Sequence, residues 1–255
     1  MKLLELFNAI GFEPRQAVVI PDMGIRLQEC TDIGAVDFLA FAKEDLASGS
    51  IKGFINAITN AKKAIDCQID NFILSLGYEH TKISKYTAVK NFVTNTENNT
   101  LKLKFLEKLE VIPIKLISKI RKLRNKIEHN YYRPTEDEAD EAVELADLFV
   151  NCLQRKIFYE SFCVFGDGDE NTKKQNTLSF HFWEKSSYYA DHFQMALEDF
   201  PYYSIRSWSD TNKDSEMIIK FNLDVYLYLV KISLSLDSEH ESNKALLNLY
   251  EFIRS

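Results

Sequence analysis

The segment RNKIEHNY at residues 124–131 places an arginine and a histidine five positions apart. Arg124 is permanently cationic, and its planar guanidinium offers several donors that fit phosphate oxygens. His129 can gain or lose a proton near neutral pH. Asn125 and Tyr131 add hydrogen-bonding groups on either side. Arg124 and His129 are able to hold a phosphodiester and transfer a proton, and that chemistry requires no metal ion.

Basic residues are concentrated around this segment, although the chain as a whole is acidic. Its net charge of −7 argues against a surface coated in basic charge. Residues 101–133 nevertheless hold ten Lys and Arg against three acids, whereas residues 136–147 hold seven acids and no base. The local positive surface suits a polyanion, while two solvated helix faces of opposite charge would give the same pattern. The candidate polyanion ligands are Lys119, Lys122, Lys126 and Arg133.

The segment must be positioned by a helix. Pro113 fits the first turn of that helix, and its apolar residues follow one face. The predicted buried stripe is Leu116, Ile120, Leu123 and Ile127. At about 100° per residue, Asn125 and His129 project opposite this stripe and Arg124 projects to its flank. An isolated histidine is usually structural or merely exposed, but here His129 is expected to face solvent or a partner.

The neighbouring segments predict further helices. Apolar spacing predicts one helix from Val36 to near Ser48 and a long helix from an N-cap at Ser50 to Gly77. Residues 78–100 are polar and predict a loop with a short helix, after which Thr100 is expected to cap a helix over 101–109.

A further helix is predicted directly after the motif. Pro134 is expected to stop the motif helix, and Thr135 with Glu138 forms a capping box for the next one. The predicted apolar face of that next helix is Ala139, Ala142, Val143, Ala146, Leu148, Phe149 and Leu153.

The two ends of the chain have a different pattern. Residues 1–33 predict a short amphipathic helix, then a strand over 16–20 that residues 21–24 end. After Lys156, strands are predicted at 157–165, 177–183, 202–208 and 216–221, and helices at 188–200, 224–236 and 240–254. A turn is expected at 166–171. The sequence therefore predicts a mainly α fold, a helical bundle followed by a smaller α+β segment. Its expected parts are an N-terminal helix and lead-in at 1–35, a helical domain at 36–155 and an α+β domain at 156–255.

Composition narrows the class of protein. The four cysteines lie far apart without a C-x-x-C pair, so we expect neither a zinc site nor a disulfide framework. The same cysteine usage indicates a protein of a reducing compartment. The N-terminal apolar run contains Glu5 and predicts an amphipathic helix rather than a signal peptide. The longest apolar run is too short to span a bilayer. We therefore expect a cytoplasmic protein that has no membrane partner and requires neither metal nor cofactor.

Arg124, Asn125, His129 and Tyr131 match an R-x4-H-x-Y motif with Asn after the Arg, near the end of the third main helix of the bundle. In this respect the chain resembles the HEPN superfamily over roughly residues 36–155, and the helix pair that opens at Phe38 is also similar to that family. The resemblance implies an antiparallel HEPN-like bundle and a homodimer whose two motifs share a cleft. Many members are metal-independent endoribonucleases, often toxins or antiviral effectors, whereas others have lost catalysis and serve as binding modules.

The chemistry of the residues themselves predicts a role for each motif residue. His129 would act as general base on a ribose 2′-OH or as general acid on the leaving 5′-oxygen, and Arg124 would stabilise the charge on the phosphorane. Asn125 would orient the imidazole or contact phosphate. Tyr131 would hydrogen-bond phosphate or stack on a base, although an interfacial or half-buried structural role is an equal alternative. Because one motif supplies one histidine, a composite site in a homodimer is expected.

Three hypotheses about function follow. The first is a metal-independent endoribonuclease, a toxin or antiviral (abortive-infection) effector that leaves a 2′,3′-cyclic phosphate and does not cut DNA. Its partners would be RNA and an antitoxin or regulatory protein. In some members of the family a partner enzyme attaches a nucleotide to the tyrosine of the motif, and Tyr131 is a candidate for that modification. The alternative is a non-catalytic HEPN module that holds RNA, a nucleotide or a partner protein. In the third, residues 156–255 are the active part and the helical domain is a dimerisation scaffold.

Overall fold

The computed structural model describes residues 3–26, 31–93, 100–111, 114–165, 176–183, 201–209, 212–236 and 238–255. Helices predominate in it, and a small antiparallel sheet joins them. The helices are α1 Leu3–Ala9, α2 Ala35–Ala47, α3 Ile51–Ser75, α4 Thr87–Phe92, α5 Leu101–Lys108, α6 Ile114–Asn130, α7 Glu136–Gln154, α8 Asp224–Leu234 and α9 Glu239–Arg254, with a 3₁₀-helix at His80–Lys85. The strands are β1 Val18–Arg26, β2 Ile157–Phe165, β3 Asn176–Trp183, β4 Tyr202–Ser209 and β5 Asn212–Lys220.

Helix α3 is the centre of the helical bundle and contacts α2, α6 and α7. The predicted N-cap at Ser50 is confirmed, since its hydroxyl accepts a hydrogen bond from the backbone N–H of Gly53 at 3.1 Å. Gly77 follows the end of α3 with φ of +86°, and a Cβ there would lie 2.4 Å from Cδ of Pro201. Both the backbone conformation and the close approach therefore require glycine.

Helix α6 carries the motif, and the face of the helix that was predicted to be buried is buried. Ile120 and Ile127 are buried and Leu123 packs against the core, joined by Ile117. Pro113, which was predicted to lie in the first turn of this helix, is outside the described residues, and so is the side chain of Leu116.

The motif helix ends earlier than the proline predicts. Its last residue is Asn130, and Tyr131 has φ of +51°. The backbone N–H of Tyr132 then donates to the carbonyl oxygen of Lys126 at 3.3 Å. A left-handed residue directly after the helix lets the following N–H groups turn back onto free carbonyls, so the helix stops before Pro134 is reached.

The capping box at the start of α7 is confirmed. The backbone N–H of Glu138 donates to the Thr135 hydroxyl at 3.2 Å, and the backbone N–H of Thr135 donates to the Glu138 carboxylate at 3.0 Å. Six of the seven predicted apolar positions are buried, but Leu148 is 55% exposed. At 100° per residue Leu148 lies about 180° around the helix from Ala139, so its assignment to the buried face is wrong.

Residues 78–100 contain more helix than predicted, namely the 3₁₀-helix and α4. Tyr78 is fully buried, and its hydroxyl donates to the carbonyl oxygen of Phe221 at 2.6 Å. Burial, with the nearby Asp224 carboxylate, raises the pKa of Tyr78 well above its usual range. The predicted cap at Thr100 is wrong, because its hydroxyl makes no capping bond and accepts instead from Nη1 of Arg121 at 3.2 Å.

The sheet has the order β1-β2-β3-β4-β5, and every neighbouring pair is antiparallel. The predicted N-terminal strand exists but continues to Arg26, so its predicted end at residues 21–24 is wrong. The register against β2 shifts between Pro21 and Gly24. An edge strand tolerates a proline and a bulge because one of its sides needs no hydrogen-bond partner.

One hydrophobic core runs through the described residues from α1 to α9. Helix α1 packs on α9, and α8 packs on α4 and β2. An ion pair at 2.9 Å also joins Glu110, after α5, to the buried Lys231 of α8. Contacts therefore cross residues 35 and 155, and the three-part division of the chain stays a prediction. The predicted turn at 166–171 and helix at 188–200 lie outside the described residues.

Candidate functional site

The outward face of α6 carries two of the four motif residues. Asn125 and His129 are exposed, as predicted, and stand one helical turn apart on the same face. Lys122 and Lys126 are exposed beside them. Within the described part of the chain, neither the His129 imidazole nor the Asn125 amide has a hydrogen-bond partner. Both groups are therefore available to a ligand.

Arg124 lies on a different side of α6. It is half-buried and forms an ion pair with Glu128, one turn along the same helix. Its Nε is buried and has no hydrogen-bond partner. Five helical positions correspond to a rotation of about 140°, so Arg124 and His129 leave α6 in divergent directions. The structure places Arg124 at the flank of the helix, as predicted, but does not bring it into contact with His129.

A charged network on the Arg124 side attaches α6 to α3. Arg121 of α6 contacts Asp66 of α3 at 3.5 Å. One turn along α3, Asp70 accepts from Lys102 of α5 at 2.6 Å and contacts His80 of the 3₁₀-helix at 2.9 Å. Sequence reasoning did not find this network, because its members are scattered over four elements without a motif. Its position indicates that it holds the motif helix in place.

Tyr131 and Tyr132 have opposite surroundings. Tyr131 is 92% exposed, so the alternative that it is a half-buried aromatic is wrong for this chain alone. The hydroxyl of Tyr132 donates to the Glu138 carboxylate at 3.1 Å, a bond that raises the pKa of Tyr132. The Lys126 ammonium lies 5.6 Å from the centre of the Tyr132 ring, a cation–π distance. Arg133 is exposed beside them.

A cavity of about 240 Å³ opens between α6 and α7, and we refer to it as the α6–α7 groove. Three of the four candidate polyanion ligands line it, namely Lys119, Lys122 and Lys126. Arg133 is not among its lining residues. The apolar lining is Ile120, Leu123, Ala142 and Leu145, and the acidic lining is Glu138 and Glu141. Lys119 forms an ion pair with Glu141 across the opening.

Comparison with protein-family models, with curated proteins and with solved structures finds no match to this chain. The resemblance to the HEPN superfamily therefore stays a prediction from the motif. None of the described helices is long and apolar enough to cross a membrane. In the same residues, no three His, Cys, Asp or Glu side chains form a cluster that could share a metal ion.

Proposed function

We propose that the protein is an endoribonuclease of the HEPN type that cleaves RNA without a metal ion. The observation that carries this proposal is the outward face of α6, where His129 and Asn125 stand exposed beside Lys122 and Lys126. The two lysines attract the phosphate backbone of RNA. The imidazole, which has no partner in the described structure, can reach a ribose or a phosphate held there.

The proposed reaction needs one base and one acid. His129 of one chain removes the proton from a ribose 2′-OH, and the 2′-oxygen attacks the adjacent phosphorus. The bond from phosphorus to the 5′-oxygen breaks, and that oxygen takes a proton from a second, protonated imidazole. The products are a 2′,3′-cyclic phosphate and a 5′-hydroxyl end. DNA lacks the attacking hydroxyl and is not cut.

A second copy of the chain completes this site. Each motif supplies one imidazole, whereas the reaction uses two. Arg124 and His129 also point about 140° apart on their helix, so an arginine from a facing α6 meets a phosphate at His129 more readily than the arginine of the same helix does. The proposed active form is therefore a homodimer, with Arg124 stabilising the negative charge of the phosphorane. Such an enzyme would act on cytoplasmic RNA as a toxin or antiviral effector under the control of an antitoxin or regulatory partner.

The test is cleavage of single-stranded RNA by the purified full chain in EDTA. We expect His129→Ala to lower the rate by about 10²–10⁴-fold and Arg124→Ala to lower it comparably. His240→Ala is the matched control, because His240 is an exposed helical histidine on α9, and it should cut normally. Undiminished cleavage by the His129 variant would refute the catalytic assignment.

Mixing wild-type and inactive chains tests the two-chain site. His129→Ala chains are denatured and refolded together with wild-type chains at increasing ratios, so that each hybrid dimer holds one His129 imidazole. If the reaction uses one His129 from each chain, the hybrids are inactive and the rate falls with the square of the wild-type fraction. A rate that falls in direct proportion to that fraction would show that one chain supplies all the catalytic groups.

One observation favours a non-catalytic RNA-binding or nucleotide-binding module instead. Glu128 neutralises Arg124 within the same helix, which leaves the guanidinium only partly available for phosphate. This second candidate predicts that RNA binds without being cut, and that expression causes no growth defect.

A further inference from the structure

We infer that the α6–α7 groove binds one nucleobase of the RNA and selects bases that carry an exocyclic amino group. This inference rests on the proposed function, because it assumes that RNA lies along α6. It adds a base-selective site to the phosphate and ribose contacts that the proposed function places on α6.

The size and floor of the groove suit a single flat ring. Its 240 Å³ is less than the roughly 300–1,000 Å³ of pockets that enclose a whole drug-sized ligand. The deepest lining residues, Ile120 and Ala142, are each 2% exposed, and the half-buried Leu123 and Leu145 form the sides. Aliphatic side chains of this kind can contact the apolar face of a base while its edges remain accessible to polar groups.

The lysines place the backbone of the same nucleotide. Lys122 and Lys126 lie one turn apart at the rim, between the groove and the face that carries His129. In the described structure Lys122 has no ion-pair partner. A base in the groove would therefore direct its ribose and phosphate over these two ammonium groups and towards the His129 imidazole.

The acidic wall provides selectivity. Glu138 is already engaged by the Tyr132 hydroxyl and the Thr135 N–H, so Glu141 is the carboxylate available to a ligand. Its present partner, Lys119, is solvent-exposed and can move to a phosphate. A carboxylate accepts hydrogen bonds and cannot donate them. It therefore favours the amino group of cytosine over the carbonyl oxygen that uracil presents at the same ring position.

Binding of two matched oligonucleotides tests the inference. Oligocytidine and oligouridine of equal length, fully 2′-O-methylated to prevent cleavage, are titrated with the full chain by fluorescence anisotropy. We expect the cytidine ligand to bind about tenfold more tightly, the value of one hydrogen bond to a charged group. Glu141→Gln should remove most of this preference because the amide can donate to the uracil oxygen. The control Glu144→Gln, an exposed residue of α7 outside the groove lining, should keep it.

The salt dependence of the same titration tests the lysines. Lys122→Ala should reduce the slope of log K against log salt by about 0.7, the value for one phosphate contact on a single strand. Lys52→Ala changes an exposed lysine of α3 outside the groove and should leave the slope unchanged.

The outcomes separate the two proposals. Equal binding of both ligands, no binding of either, or a cytidine preference that persists in Glu141→Gln would overturn the base-binding inference. Cleavage in EDTA by the wild-type chain would still support the nuclease in each of those cases. Conversely, a Glu141-dependent preference without any cleavage supports the groove and rejects the nuclease.

Discussion

Glu128 is expected to restrain Arg124, and replacing it with glutamine should strengthen RNA binding. Glu128→Gln removes the ion pair that holds the guanidinium at the flank of α6. Both side chains are about one-third exposed, and the order Arg before Glu is the weaker arrangement of such a helical pair. The pair therefore contributes at most about 0.3–0.5 kcal/mol. That is also the free energy required to release Arg124 for phosphate.

The loss of one negative charge adds a second contribution to the expected gain. A carboxylate and a phosphate about 8 Å apart in water repel by about 0.5 kcal/mol, before screening by salt. The two contributions together strengthen RNA binding by about 0.5–1 kcal/mol, or about two- to fivefold. Stability should change in the opposite direction, with a melting temperature lower by no more than about 2 °C.

The assay is the anisotropy titration with a 2′-O-methylated oligonucleotide, combined with thermal unfolding. Glu144→Gln provides the matched control, because it removes the same charge from an exposed helical position but releases no arginine. Tighter binding by Glu128→Gln than by Glu144→Gln isolates the release of Arg124. If both variants bind RNA equally, Arg124 is not an RNA ligand and the proposed role of that residue is refuted.

Two further predictions concern Tyr131, directly after the motif helix, and Glu110, after α5. Tyr131 is in the left-handed region and 92% exposed, a conformation that disfavours a non-glycine residue by roughly 1–2 kcal/mol. The greater flexibility of glycine in the unfolded chain offsets about 0.5–1 kcal/mol of this gain. Tyr131→Gly should therefore raise the free energy of unfolding in urea by about 0.5–1 kcal/mol and bind RNA more weakly. A less stable variant would contradict the backbone strain, and unchanged RNA binding would contradict the contact of Tyr131 with RNA. Burial alone would raise the pKa of Glu110, but Lys231 and Lys244 outweigh it and the net pKa lies below the ordinary 4.5. Such a carboxylate contributes stability that is present above pH 4.5 and lost as the pH falls through its lower folded-state pKa. Glu110→Gln should therefore lower the free energy of unfolding at neutral pH by about 1–2 kcal/mol, since it leaves Lys231 buried without a counter-ion. In urea unfolding measured at a series of pH values, the variant should also lose less stability than the wild type as the pH falls below 4.5. An equal loss in both proteins would show that Glu110 does not contribute to it.

Local patterns predicted the motif helix and its neighbours well. The buried Ile120 and Ile127, the capping box at Thr135 and the N-cap at Ser50 depend on residues within four positions of one another. Such features are encoded by helical periodicity and by the free N–H groups of a helix start. The outward direction of His129 followed from the same periodicity.

Features that depend on distant residues were not predictable in this way. The contacts of Asp70 with His80 and Lys102 join three separate elements, and no residue spacing along the chain predicts them. Thr100 was expected to cap its own helix, but its hydroxyl accepts a hydrogen bond from Arg121 of another helix. The ion pair between Arg124 and Glu128 is different, because its two charges stand only four positions apart on one helix, yet it was not predicted.

Strand β1 cannot pair until late in the synthesis of this protein, because its partner strand is distant in the sequence. Its only neighbour in the described sheet is β2, which begins at Ile157. Roughly 130 residues must leave the ribosome before that partner exists, which takes on the order of ten seconds at ordinary elongation rates. During that interval the consecutive apolar residues Val18, Val19 and Ile20 have no strand to pair with, so the nascent segment exposes them and its backbone N–H and C=O groups can pair with another chain. A truncation after residue 155 would make that transient state permanent.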